Sequence, residues 1–198
     1  MRRLAIGLAF AALPLTAAAQ VENYVIAPYH TVPYWETDHM TFATFRGRFD
    51  RATGKFSIDR AAKTGTLEVV IPTARLTTGD TDREGRPRTR DEHLRSPDFF
   101  NVAEFPTMTY RSTAVKFMGD NPDTVEVNLT LLGVTKPVAL KLERWKCGPD
   151  PRVAGTRFLC AGNATGSFKR SDFGMKIFLP TAIGDEVKLW MTIYGFRQ

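Results

Sequence analysis

From Thr124 to Leu132 the chain reads T-V-E-V-N-L-T-L-L, a strict alternation with period two. Val125, Val127, Leu129 and Leu131 share one face, and Glu126, Asn128 and Thr130 share the other. This is the pattern of a strand with one dry side. Gly133-Val134-Thr135-Lys136-Pro137 reads as a tight turn, and Val138 to Trp145 returns as V-A-L-K-L-E-R-W. Two such runs joined by a turn make an antiparallel hairpin, and a fold must be found that buries the dry face.

The same rhythm runs along most of the chain. Strands are expected at 21–26, 41–49, 55–59, 66–72, 107–110 and on through 110–117, 158–167 and 187–196, and the aromatic stretch 32–42 could hold a strand or a distorted helical turn. Gly47 marks a bulge or bend. Turn chemistry falls at 50–55, 61–65 and 119–123, and 168–174 reads as a loop. No long amphipathic helix is available to cover an open sheet. Closure removes exposed edges, so the expected fold is all-β, an antiparallel barrel of about eight strands. Barrels of that size are filled by side chains or hold one small ligand. Alternation alone does not decide between these.

Residues 75–95 interrupt the rhythm. Arg75, Arg83, Arg86, Arg88, Arg90 and Arg95 accompany Asp80, Asp82, Glu84, Asp91 and Glu92. A solvated, charge-balanced loop is one reading, and a basic rim facing phosphate or anionic lipid is the other. No aromatic residues alternate with these arginines, so nucleic acid is not an expected partner. Thr89 and Glu92 have the spacing of a capping box, which predicts a short helical insertion. Ser96-Pro97 gives a second helix-start signal. Phe99 and Phe100 follow, Asn101 closes the turn, and Phe105-Pro106 returns the chain to an extended path.

The first 19 residues have the form of a secretory leader. Arg2 and Arg3 precede an apolar run, and Ala17-Ala18-Ala19 offers a cleavage site. The run is too short to span a bilayer of about 30 Å. Removing 19 of 198 residues leaves 179 as the expected mature domain, 20–198, and lowers the formal charge from +6 to +4. Cys147 and Cys160 would then meet an oxidising compartment, and a disulfide across a hairpin is the simplest reading. A metal or redox pair fits poorly, since the spacing is far from C-x-x-C.

Asp91, His93, Leu94, Ser96, Asp98, Phe99 and Phe100 resemble the signature of the YceI-like family of polyisoprenoid-binding periplasmic proteins. Three further stretches match in the same order: Tyr24 to Ile26 with Tyr29-His30-Thr31, Leu129-Thr130 with Gly133 to Val138, and Arg170 to Gly174. Ala27 stands where that family usually has an aspartate, and the Cys147–Cys160 segment departs from its pattern. The resemblance implies a lipocalin-like extended barrel holding an isoprenoid chain in its lumen, with no cofactor and no chemistry of its own. It also implies a periplasmic location, and transient membrane contact follows from such a cargo.

On that basis Phe42, Phe99, Phe100, Val127, Leu129, Leu131, Leu189, Met191 and Ile193 are the expected lumen residues, each also an ordinary core residue type. His30 and His93 are candidate contacts for a polar head group or hydrogen-bonded structural histidines, and His39 is less clearly placed. The three histidines form no recognised metal spacing. An envelope stress or interaction protein with a filled barrel is the alternative function. A lipid-modifying enzyme is the weaker rival. The chain lacks G-x-S-x-G, H-E-x-x-H and phosphate-loop motifs, and Asp91, His93 and Ser96 are too close in sequence to form a productive triad. Asp98 and Asp172 could serve as an acid–base pair only if the fold joined them.

Overall fold

The alternating runs become strands of one antiparallel sheet that closes on itself. The computed structural model describes residues 21–153 and 155–198, so the leader assigned to 1–19 lies outside the described residues. Eleven strands follow in order: β1 (Glu22–Ile26), β2 (Val32–His39), β3 (Ala43–Phe49), β4 (Thr53–Asp59), β5 (Thr64–Pro72), β6 (Leu76–Thr77), β7 (Thr107–Met118), β8 (Asn121–Leu131), β9 (Val134–Pro149), β10 (Phe158–Lys169) and β11 (Glu186–Arg197). One helix, α1 (Arg90–Arg95), lies in the long β6–β7 connection.

The ring runs β1-β4-β5-β7-β8-β9-β10-β11 and closes where β11 pairs with β1, Ile26 facing Gly195 and Tyr24 facing Arg197. This is an eight-strand barrel with few free edges. The remaining strands continue members of the ring. β2 runs on from β1 along β11, with Val32 facing Thr192 and Glu36 facing Lys188. β3 continues into β4, and β5 into β6, which pairs back onto β3. Three of the eight long strands are thus interrupted midway.

The hairpin read from sequence forms, with a tighter turn than expected. Only Leu132 and Gly133 lie between β8 and β9, at φ of 50° and 73°, the two-residue geometry that matches strand twist. Val134 to Pro137 belong to β9. Likewise β8 begins at Asn121, leaving Gly119-Asp120 as the β7–β8 turn.

At the end of the barrel away from α1 the lumen is full. The Phe56 and Trp145 rings meet edge-on at 5.6 Å, and Tyr24 stacks on Phe56 at 4.7 Å. β4 and β9 are four strands apart either way round the ring, so the Phe56–Trp145 contact crosses the interior. Simple alternation puts Trp145 outside, with Lys141 and Glu143. A bulge reverses that: Arg144 takes φ of 54°, and the β9–β10 register shifts between Ala161 and Asn163. Near this end Cys147 and Cys160 face each other and are bonded. Closing a loop of about 15 residues contributes roughly 3 kcal/mol in the chain-entropy model. Beyond the bridge, the fully buried Asp150 accepts from both Arg152 and Arg157, which hold its carboxyl well below the usual range.

Candidate binding cavity

The inward faces of the strands leave a space at the α1 end. A cavity of about 390 Å³ lies there, in the range of small-molecule sites, and its walls are mainly aromatic and aliphatic. Leu131 of β8 and Leu189 of β11 line it. The next inward residues on the same strands, Leu129 and Val127 and then Met191 and Ile193, are buried but are not among the lining residues. They lie further along the strands, between the cavity and the filled end. The cavity is therefore the upper part of a lumen whose lower part is ordinary core.

The β6–β7 connection closes one side of the mouth. The capping box forms as read: Thr89 accepts from the Glu92 amide, and the Glu92 carboxylate accepts from the Thr89 amide. The helix lasts six residues. The expected second helix at Ser96-Pro97 does not form; Ser96 instead caps the first, its amide donating to the His93 carbonyl. A turn follows, and Asn101 closes it at φ of 42°. Leu94, Phe99, Phe100 and His93 thereby reach the cavity wall. The His93 Nε2 lies 2.9 Å from Asp98 Oδ2, which also accepts from Arg88. Asp91 accepts from Thr78, and the Ser96 hydroxyl donates to the His93 carbonyl, so these three residues form no relay.

The opposite side of the mouth is the segment 174–185, tied down by one buried cation. The Arg170 guanidinium donates to the carbonyls of Gly184, Met175, Ile177 and Ile183 at 2.8–3.0 Å. It is 2% exposed, and burial lowers its affinity for its proton from the ordinary value. Asp185 stays ionised nearby, held by the Ser171 amide and hydroxyl. Phe178 projects from this segment over the mouth, against His93 and Phe99. Deeper in the wall Tyr110 is buried, and burial pushes its hydroxyl far above the usual range, so it is a neutral group. Trp35 lies across Gly47, where any Cβ would fall 2.3 Å from the indole ring, and its buried Nε1 has no partner.

Two expected site residues are elsewhere. Phe42 is 90% exposed at the tip of the β2–β3 hairpin. Phe45, Gly47 and Phe49 are the inward residues of β3, so a residue at 42 has the wrong parity, and Phe45 and Phe49 take the role assigned to it. His30 lies outside the barrel between β1 and β2, against Tyr194 and 3.3 Å from Arg152, far from a head-group position. His39, left unplaced by the sequence, lines the cavity and stacks on Phe45 at 4.0 Å.

The arginine-rich segment is charge-balanced by its own acids. Arg83 pairs with Glu92, Arg86 with Asp80, Arg88 with Asp98, and Arg95 approaches Asp91. Arg90 differs: its guanidinium lies over the Phe45 ring at 4.4 Å, in the cavity wall. Arg75, exposed just before β6, also makes no ion pair among the described residues, so the basic-rim reading reduces to Arg75 and Arg90. The Arg86 fork and the Arg90 amide hold the Asp80 carboxyl down at about 2. Because the folded pKa is below the unfolded one, this stabilisation is complete above the ordinary carboxylate range and is lost as pH falls through about 2. Asp80→Asn is therefore expected to lower the unfolding midpoint at neutral pH, with the gap to the parent chain closing in strong acid. Parallel denaturant titrations across that range would reveal a constant gap if the account is wrong.

The fold is a closed antiparallel β-barrel with an apolar cavity open at one end. The chain belongs to the YceI-like domain family, whose model matches residues 24–194. Protein YceI of Escherichia coli is 36% identical over 202 residues, covering all of both chains. A UPF0312 protein of Pseudomonas aeruginosa is 38% identical over 169 residues, covering 85% of this chain and 83% of that one. Among solved structures, a polyisoprenoid binding domain from Saccharophagus degradans, implicated in plant cell wall breakdown, has a TM-score of 0.61 at 16% identity, covering 88% of this chain and 98% of that one. Burkholderia cenocepacia BcnA gives 0.62 at 19%, covering 83% and 95%. At these identities the structural matches speak for the fold.

Proposed function

We propose that this protein is a periplasmic carrier that holds an isoprenoid or similar amphiphile by its apolar chain, without chemistry of its own. The observation that carries the reading is the open, mainly apolar cavity at one end of an otherwise filled barrel. Burying hydrocarbon there contributes about 0.8 kcal/mol per methylene before ordering costs, so a prenyl chain is held without catalytic groups. The mouth supplies a few polar contacts for a head group: Arg90, His93 and His39. The polyisoprenoid-binding relative of the same fold supports this cargo class. The leader-like pattern of residues 1–19 and the Cys147–Cys160 bridge support an oxidising, extracytoplasmic location.

Mass spectrometry of natively purified protein, followed by solvent extraction, tests the reading. A stoichiometric prenyl lipid, or uptake of one when offered, is the expected result. A clean apo mass with no uptake of any polyprenyl lipid rejects it.

A further inference from the structure

We propose that the barrel mouth is a membrane-contact face, with the β2–β3 hairpin tip and Phe178 entering the outer layer of an uncharged bilayer. This rests on the lipid-cargo reading and assigns it a docking surface. Phe42, Met40 and Phe178 are 90%, 48% and 46% exposed, and their neighbouring backbones are joined. Met40 N donates to Ala182 O, His39 bridges to Ile183, and Ala182 N donates to Phe178 O. The two loops therefore form one rim. Met40, Thr41 and Phe178 hold φ of 56°, 61° and 62°, a region that glycine or asparagine occupies at lower cost. Backbone strain is thus retained where large apolar side chains face outward.

The apolar rim is continuous with the cavity, because His39, Phe178 and Ala182 also line it. A hydrocarbon tail leaving a bilayer through this rim would not cross water. Of the neighbouring arginines, Arg83, Arg86 and Arg88 are paired with their own acids and Arg90 lies over the Phe45 ring, so the attraction rests mainly on apolar insertion, as for shallow interfacial elements, rather than on anionic lipid. A second copy of the chain is a poorer occupant. The three side chains expose on the order of 300 Å² of apolar surface, well below the roughly 800 Å² per partner of a stable interface.

The test uses the mature chain and phosphatidylcholine vesicles, with flotation at low and high salt. The comparison is the double variant Met40→Ser, Phe42→Ser, whose side chains support no core contact. The parent chain should float with the vesicles at both salt levels, and the variant's partitioning should fall at least about tenfold. Prenyl lipid offered from detergent should be taken up equally by both. Absence of flotation by the parent chain, or equal flotation by the variant, overturns the proposal, as does a parent dimer that the variant abolishes. If neither chain takes up prenyl lipid from detergent, the cargo reading fails, and vesicle flotation still decides the docking face separately.

Discussion

Arg170→Ala should unfold the cavity mouth and lower global stability by about 3–5 kcal/mol, the cost of breaking a buried charged hydrogen-bond set. The guanidinium reaches four carbonyls of one segment from the end of β10, and of these only Gly184 has a second side-chain donor among the described residues, the Thr37 hydroxyl at 3.2 Å. Removing it leaves the carbonyls of Met175, Ile177 and Ile183 without their side-chain donor, while Gly184 keeps the Thr37 hydroxyl. It also leaves a void beside Phe173 and Met175, both in the core. For a chain of this length the loss corresponds to a fall in Tm of roughly 10 °C. Arg170→Lys should recover little, because an ammonium cannot present a planar fork to carbonyls on several sides. Denaturant unfolding gives the magnitude, and hydrogen exchange should show protection lost first between residues 174 and 185. A variant within about 1 kcal/mol of the parent would mean that the segment is held by its own packing.

Leu189→Trp should weaken cargo uptake about a hundredfold while leaving the barrel folded. Leu189 lines the cavity and is 8% exposed, so a larger ring grows into empty space rather than into packed core. Filling room for one five-carbon unit removes several buried methylenes at about 0.8 kcal/mol each, an affinity loss on the order of a hundredfold. The same change at Ile193, further down β11, should instead cost stability by overpacking, about 1–3 kcal/mol. Prenyl-lipid uptake measured beside thermal unfolding separates the two effects. Unimpaired uptake by the folded Leu189→Trp variant would place the cargo outside this cavity.

Much of the fold was legible because strand periodicity is local. The β8 alternation, the Thr89–Glu92 capping box and the Asn101 turn all follow from residues within a few positions of each other. The family signature placed Phe99, Phe100 and His93 beside Leu131 and Leu189, and all five line one cavity. Phe42 was misplaced although its parity with Arg46 and Arg48 was readable; Phe45 and Phe49 carried the correct signal. Trp145 was not readable, because a single αL residue in β9 reverses its face. Nor was the division of the lumen. Val127 and Leu131 look alike in sequence, and only the pairing register and the Phe56–Trp145 contact across the barrel decide which of them meets empty space.

That contact has a kinetic consequence. With one end stoppered by aromatic rings and the neighbouring strands stapled by the disulfide, the barrel is a blind sleeve. A chain-like guest would thread in tail first and withdraw by the reverse path, so its residence time should rise with every carbon that must be withdrawn before the last one is free. Loading and delivery would then be one route run in opposite directions. Which direction prevails would be set by the relative affinities of donor and acceptor, not by separate entry and exit gates.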